Sequence, residues 1–218
     1  MHANSETNSN YYRSVDLSSA VMYPIESWLG HDIHFDIVKR LRGKDNQHTR
    51  IVYGFGEAWF GNFLVAFSEQ GLCWFEPEPK PDAHARLLKH WAPATIIRED
   101  PRVQQQLQQI LNKPGQQCGI HLCGTVFQLR VWEALLCVPR GGKVTYGDLA
   151  TLLGNRKAAR ALGNAVGANH IALLVPCHRV IPLAGGMGRY RWGSALKQQL
   201  LDLESHTIHV PRRVTERT

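Results

Sequence analysis

The sequence predicts an α/β protein in two lobes: a small N-terminal antiparallel-sheet lobe, then a mainly helical C-terminal lobe with a helix-turn-helix. Three observations predict this. Between residues 51 and 79, aromatic and β-branched runs are broken by glycine, the pattern of short strands. Between residues 100 and 204, apolar residues recur at helical spacing behind capping residues. Within that second region, two short helical segments meet at a Gly-Asn turn.

Residues 1–48 are polar and lack a clear period, so they read as an N-terminal extension, disordered in part. The sheet lobe is assigned to residues 49–117, with "SEQG" at 68–71 as a turn between strands. Near its end, "DPRVQQQLQQILN" places Val103, Leu107, Ile110 and Leu111 at helical spacing. Asp100 is its expected cap before Pro101. "NKPGQQCG", residues 112–119, reads as a linker.

The second lobe is assigned to residues 118–206, with a tail at 207–218. "TVFQLRVWEALLCVP" opens on Thr125 with Gln128 three residues on, a capping-box pattern. Its apolar face takes Phe127, Val131, Leu135 and Val138, and Pro139 ends it. "YGDLATLLG" is a short helix closed by Gly154. Asn155 then caps "RKAARALGNAVGA", a second helix rich in Ala and Gly with Arg156, Lys157 and Arg160 near its start. Small residues let a helix approach DNA closely, and arginines reach phosphates or bases. An ordinary pair of packed helices fits the same letters. In "SALKQQLLDLE", Leu196, Leu200 and Leu203 form one apolar face, with Glu204 close to it.

Composition narrows the function classes. A chain of 218 residues with 44% hydrophobic content buries a sizeable core. The polar start "MHANSETNSNYYRS" has no apolar signal region, and no run is long enough to span a membrane. Five cysteines (Cys73, Cys118, Cys123, Cys137 and Cys177) make an odd count without framework spacing, which favours free thiols in a reducing compartment. The expected location is therefore cytoplasmic, nucleoid-associated in a bacterium. "CGIHLC" crowds three potential ligands into residues 118–123, but that spacing fits no common structural zinc pattern, and no metal is expected. The histidines of "HDIH" and "HARLLKH" are read as surface residues.

The formal charge of +7 is unevenly placed: residues 1–118 carry a net −1 and residues 119–218 a net +8. A basic half steers toward polyanions, nucleic acid above all, although solvated surface cations give the same count.

That basic half contains "LLVPCHRVI", residues 173–181. A buried apolar run has no ordinary need of a Cys-His-Arg triplet. A thiol becomes a useful nucleophile beside a base or a positive charge. Were the run an extended strand, Cys177 and His178 would point to opposite faces and meet only through a water or a local turn. A base needs an orienting partner, and Glu204 is the candidate. A carboxylate near a helix C-terminus opposes the dipole, so something must compensate it, and a histidine could. Taken singly, a lone Cys is usually a small core residue. A cysteine hydrolase and a plain helix-turn-helix regulator both remain open on these residues alone.

"VPCHRVI" resembles the active-site signature of the O6-methylguanine-DNA methyltransferases, most closely in the methyltransferase half of the bifunctional Ada protein. The resemblance runs without insertion from Gly124 to Glu204, with helix-turn-helix, hinge, nucleophile motif, "GRYRWG" loop and terminal Glu in order. It implies a single-turnover methyltransferase that repairs double-stranded DNA. The methyl of O6-methylguanine, and of O4-methylthymine, would pass to Cys177 after base flipping through the minor groove. By matched position, His178 would take the thiol proton through a water and Glu204 would orient the histidine. Asn169 would be the hinge residue. Tyr146 would serve the DNA backbone and the leaving base, Arg160 would fill the vacated stack, and Asn155 would contact DNA. Tyr190, Val180 and Trp192 would line the substrate pocket. The resemblance implies a monomer with no cofactor, no metal and no membrane partner.

Some relatives of this family bind alkylated DNA without repairing it and lack the acceptor cysteine; Cys177 argues against that alternative. His170 follows the hinge where many members have proline, which is expected to loosen the turn while leaving Asn169 intact. The four-cysteine cluster of Ada's regulatory half does not occur, so no transcription-factor function of that type is expected. The bulk of Trp192 is expected to favour methyl over large O6-alkyl groups; equal rates on methyl and benzyl substrates would defeat that expectation.

Overall fold

The computed structural model describes residues 35–42, 46–58, 61–77, 79–112, 118–154 and 159–205. Strands β1 (Phe35–Leu41), β2 (Arg50–Ala58), β3 (Gly61–Ser68), β4 (Gly71–Pro77), β5 (Thr95–Arg98) and β6 (Cys118–Gly124) form one sheet in the order β1-β6-β4-β3-β2-β5. Helix α1 (Ala83–Trp91) follows β4, and α2 (Asp100–Asn112) follows β5. The second lobe holds α3 (Val126–Leu136), β7 (Val144–Thr145), α4 (Tyr146–Leu152), α5 (Ala159–Gly167), β8 (Val180–Ile181) and α6 (Ser194–Ser205).

The central strands are buried on both faces, and their alternation shows why. Along β3, Phe63, Val65 and Phe67 face one core while Leu64 and Ala66 face another. The second core is closed by Ala83, Leu87 and Trp91 of α1. The first packs Val103 and Leu107 of α2 and continues without a break into the second lobe. Each large apolar side chain so buried contributes roughly 1.5–3 kcal/mol.

The glycines of "YGFG" serve close packing. A Cβ on Gly54 would lie 2.9 Å from Asp100 Cα, and one on Gly56 2.9 Å from Leu107 Cδ2. Helix α2 thus rests directly on β2 and completes its edge with side chains. Glu57 N donates to Gln104 Oε1 (2.8 Å), and Gln104 Nε2 donates to Glu57 O (2.8 Å). Asp100 was expected as a helix cap; its carboxylate instead accepts from Phe55 N (3.1 Å) and from Arg98. Past Tyr53, where β5 ends, these side chains take the place of a neighbouring strand.

The β2-β3-β4 meander is antiparallel with its turn at residues 69–70, as the sequence indicates. The sheet is larger and mixed, however: β1 pairs parallel to β6, β6 to β4 and β5 to β2. Strand β1 lies inside the segment read as a polar extension, and β6 begins where the helical lobe was expected to start. Both readings failed for the same reason. A parallel pair such as Phe35↔Cys118 joins distant segments, so no local pattern announces it. Of the expected linker, Cys118 and Gly119 belong to β6 and residues 113–117 lie outside the described set.

In the second lobe the capping box at Thr125 is formed: Gln128 N donates to Thr125 Oγ1 and Thr125 N to Gln128 Oε1. Helix α3 ends at Leu136, before Pro139, and buries Leu129, Val131, Trp132 and Leu135, with Phe127 packed at the margin. Trp132 Nε1 donates to Ala165 O (2.9 Å), tying α3 to α5. A second capping box, Thr145 with Asp148, starts α4, and Gly154 (φ 76°) turns the chain after it. Asn155, the expected cap of the next helix, lies outside the described residues, as do Arg156 and Lys157. Among the described residues, no helix is long and apolar enough to cross a membrane.

Candidate active site

The run before Cys177 is not a strand. Residues 172–175 form buried tight turns, with Leu173 at φ 66°, and Cys177–Arg179 make one 3-10 turn. A buried irregular backbone must find internal hydrogen-bond partners. Asn169 supplies them: its Nδ2 donates to Ile171 O (3.2 Å) and Val175 O (2.9 Å), and its Oδ1 accepts from Ile171 N (2.9 Å). The same Nδ2 lies 3.2 Å from Cys177 Sγ. One side chain therefore shapes the turn and holds the thiol.

Cys177 is 4% exposed. Burial raises its pKa, and Asn169, the Tyr190 hydroxyl and the Lys197 charge act in the opposite direction. The resting group is a thiol poised beside donors that favour its anion. No direct hydrogen bond joins it to His178. Instead His178 Nε2 meets Glu204 Oε1 at 2.9 Å, while its buried Nδ1 has no hydrogen-bond partner among the described residues. Burial holds the imidazole below its ordinary pKa, against the pull of Glu204.

Glu204 is wholly enclosed. Burial alone would raise its carboxyl, but hydrogen bonds from His178 and Arg179 and their charges outweigh it and hold the carboxyl at about 2. Arg179 donates from Nε to both carboxylate oxygens (3.2 and 3.0 Å), from Nη2 to Oε1 (2.7 Å) and from Nη1 to Val138 O (2.5 Å). Gly141 N adds a donor to Oε2 (3.3 Å). The histidine expected to compensate Glu204 is present, but the opposing full charge is that of Arg179.

Lys197 is a further buried charge beside the site. Its Nζ donates to Val180 O and Met187 O, both at 2.6 Å, and so ties the loop after β8 to α6. The buried face of α6 is Lys197, Leu200, Leu201 and Glu204, not the expected stripe of Leu196, Leu200 and Leu203. Sequence reasoning overlooked Arg179 and Lys197. The letters held a signal for Lys197, which shares a helical face with Leu201 and Glu204 at spacings of four and seven.

Tyr146 comes to the site through β7, whose parallel pairing Val144↔Val180 and Thr145↔Ile181 sets the start of α4 beside the nucleophile turn. Burial raises its pKa, with a further rise from the nearby thiol. Tyr190 and Trp192 meet edge to face (5.2 Å); the buried Tyr190 hydroxyl is directed at the Cys177 thiol, and Trp192 Nε1 is buried without a partner among the described residues. Val180 is buried in the same core cluster as Cys177. Arg160 is apart from this cluster, exposed on α5, whose other exposed residues include Ala161, Asn164 and Gly167. Among the described residues, no group of His, Cys, Asp or Glu side chains is arranged to hold a metal ion.

The histidines differ from expectation. His90 is buried, His84 stacks half-buried on Tyr53, and His31 and His34 lie outside the described residues. Burial, then positive neighbours, drives the pKa of His90 and of His121 down to about 4, and burial also lowers His170 and His178. The unfolded chain binds these protons near the ordinary value of 6.5, so it binds more protons than the fold between 6.5 and about 4. Stability is thus full above pH 6.5 and declines as pH falls through that window, by on the order of a few kcal/mol. Urea midpoints at pH 7, 5.5 and 4.5 check this, and His90→Leu should flatten the slope.

Residues 126–206 match the family model for the 6-O-methylguanine DNA methyltransferase DNA-binding domain. The inducible methylated-DNA–protein-cysteine methyltransferase of Bacillus subtilis is 33% identical over 150 residues, 66% of this chain and 84% of that protein. The chain belongs to the O6-methylguanine-DNA methyltransferase family. The regulatory protein Ada of Salmonella typhimurium is 36% identical over 170 residues, 75% of this chain. The chain spans about half the length of that relative (48%). Among solved structures, Mycobacterium tuberculosis OGT in complex with DNA superposes with a TM-score of 0.55 at 31% identity, covering 71% of this chain and 92% of that one. The matches to the two relatives and to the solved structure are longer than the second lobe, so the family resemblance reaches into the sheet lobe as well as the nucleophile turn.

Proposed function

We propose that this protein repairs double-stranded DNA by transferring the methyl group of O6-methylguanine irreversibly to Cys177, acting as a monomer without a cofactor. The observation that carries this reading is the buried thiol itself. It is held by Asn169 beside a His178–Glu204–Arg179 network, in a lobe whose helix α5 presents a face of small residues. O4-methylthymine, with its methyl on an equivalent exocyclic oxygen, is a second substrate of the same chemistry.

In this reading His178 Nδ1, which has no hydrogen-bond partner among the described residues, takes the thiol proton through a water. Glu204 orients the ring, and Arg179 balances the carboxylate. The sulfur attacks the methyl carbon; the S–C bond forms as the C–O6 bond breaks. The electron pair leaves with guanine, and the Tyr146 hydroxyl stabilises that leaving group. Tyr190, Val180 and Trp192 line the pocket. A stable thioether remains and nothing regenerates the thiol, so each molecule acts once.

A methyl on O6 is concealed in the duplex, so the base must be flipped out at a cost of a few kcal/mol. Arg160, on α5, fills the stack, and Asn155 contacts the DNA. The small exposed residues of that helix suit close approach in the minor groove, where readout is degenerate and repair proceeds in any sequence context. The free cysteines suit a reducing cytoplasm, with nucleoid association in a bacterial host.

Intact-protein mass after mixing with a duplex carrying one O6-methylguanine tests the reading: a gain of one methyl is expected, and an unchanged mass defeats it. Arg160→Ala should slow transfer from a duplex about tenfold while leaving single-stranded substrate nearly unaffected, since only a duplex has a stack to refill. Equal losses on both would remove the assigned role.

A further inference from the structure

Arg191 stands between two pocket residues, Tyr190 and Trp192, yet its own side chain turns away to bridge three other parts of the fold. Its Nη2 donates to Gly167 O (2.7 Å), the last residue of α5. Its Nη1 lies 3.2 Å from His170 Nδ1, next to the hinge residue Asn169. It also lies within electrostatic reach of the buried Glu76 carboxylate on β4 and of Cys177.

His170 is in turn fixed by the sheet lobe. Its ring stacks on Trp74 (centroids 4.0 Å, planes 15° apart) and meets the edge of His90 (4.4 Å). Its carbonyl accepts from Phe75 N (2.8 Å), and Ala172 N donates to Phe75 O (2.8 Å). The hinge is therefore tied to the sheet lobe through His170. The groups facing His170 are His90, Arg191, Arg42 and Arg86; burial and these positive neighbours keep the ring neutral, so Nδ1 is an acceptor for the guanidinium.

We infer that Arg191 is a positioning residue for methyl transfer: it locks the pocket loop to the end of α5 and to the hinge, so that the loop, the DNA-contacting helix and the thiol keep one geometry. Trp74, His90 and Glu76 make the sheet lobe the support of that lock. The Arg191 guanidinium is engaged by Gly167 and His170 and makes no hydrogen bond to the thiol, so its action is indirect. A fork with two fixed acceptors suits this task, because a planar guanidinium sets distance and direction together. Loss of such registration costs rate more than affinity, as small misplacements of reacting groups slow chemistry by up to about 100-fold.

The inference rests on the methyl-transfer reading, and one experiment separates the two. Single-turnover transfer is measured against increasing concentrations of an O6-methylguanine duplex for wild type, Arg191→Ala, Arg191→Lys and His170→Leu. The expected result is a maximum rate about tenfold lower for Arg191→Ala, with the half-saturating duplex concentration changed less than about threefold. Arg191→Lys should recover part of the rate, since one of the two bonds can re-form. His170→Leu, which leaves the bond to Gly167 in place, should fall between wild type and Arg191→Ala; it serves as the test if Arg191→Ala fails to fold. Maximum rates within about twofold of wild type in the folded variants overturn the inference. So does a loss seen only in half-saturation, which would make Arg191 a DNA contact. A wild-type protein that gains no methyl from the same duplex sinks the repair reading itself.

Discussion

Cys177→Ala should abolish methyl transfer outright: intact mass stays unchanged after mixing with an O6-methylguanine duplex, while the duplex is still bound. The reason is positional. Among the described cysteines, Cys73 and Cys123 are buried with pKa values raised, first by burial, and Cys137 is exposed. Only Cys177 has an amide donor on its sulfur and a His–Glu–Arg network beside it. The substitution removes one atom from a site already closed to solvent, and the nearest partner, Asn169, keeps its three backbone bonds. The fold should therefore lose only about 1 kcal/mol. In the proposed reading, duplex binding depends on α5, which the change does not touch. A methylated Cys177→Ala protein would show that another thiol accepts the group. Loss of duplex binding would show that the thiol site itself holds the DNA.

Glu204→Gln should reduce both stability and rate. Glu204 is the buried anion that balances Arg179 and orients His178. An amide keeps the shape but leaves the Arg179 charge uncompensated, and breaking one partner of a buried pair costs about 3–5 kcal/mol. The amide oxygen can still accept from His178, but the negative charge that stabilises the ring once it takes a proton is gone, so proton removal from the thiol should slow by about 100-fold. The pH dependence carries the same sign. The carboxyl is held at about 2, below its ordinary 4.5. The stability it contributes is complete above 4.5 and is lost as pH falls toward 2. Glu204→Gln should therefore be less stable than wild type at neutral pH and should approach it at acid pH. Chemical denaturation at both pH values, beside single-turnover kinetics at neutral pH, measures the two effects. A variant with wild-type rate would leave Glu204 a purely structural counter-ion.

These two residues also mark the limits of a sequence reading. Cys177 was legible because a Cys-His-Arg triplet in an apolar run has no structural purpose, and Glu204 because it ends an apolar helical face. Arg179 was in plain view and went unused, since nothing local says that its partner lies on α6. The nucleophile turn was read against an extended strand because apolar runs are ambiguous; the turn depends on Asn169 reaching six and eight residues ahead.

The amino-acid order by itself determined the local features: the β2-β3-β4 meander with its turn, the capping box at Thr125, the paired short helices and the acceptor motif. Each is encoded by neighbours within one turn or one hairpin, where caps, alternation and glycine act directly. Tertiary structure decided the rest. It set β1 beside β6, used Asp100 and Gln104 to finish the edge of β2, packed His90 and His170 against Trp74, and brought Arg179 and Lys197 inward. Those outcomes rest on contacts between segments far apart in sequence. Burial then fixed the ionisation of each group, because a charge removed from water persists only where the fold supplies its partner.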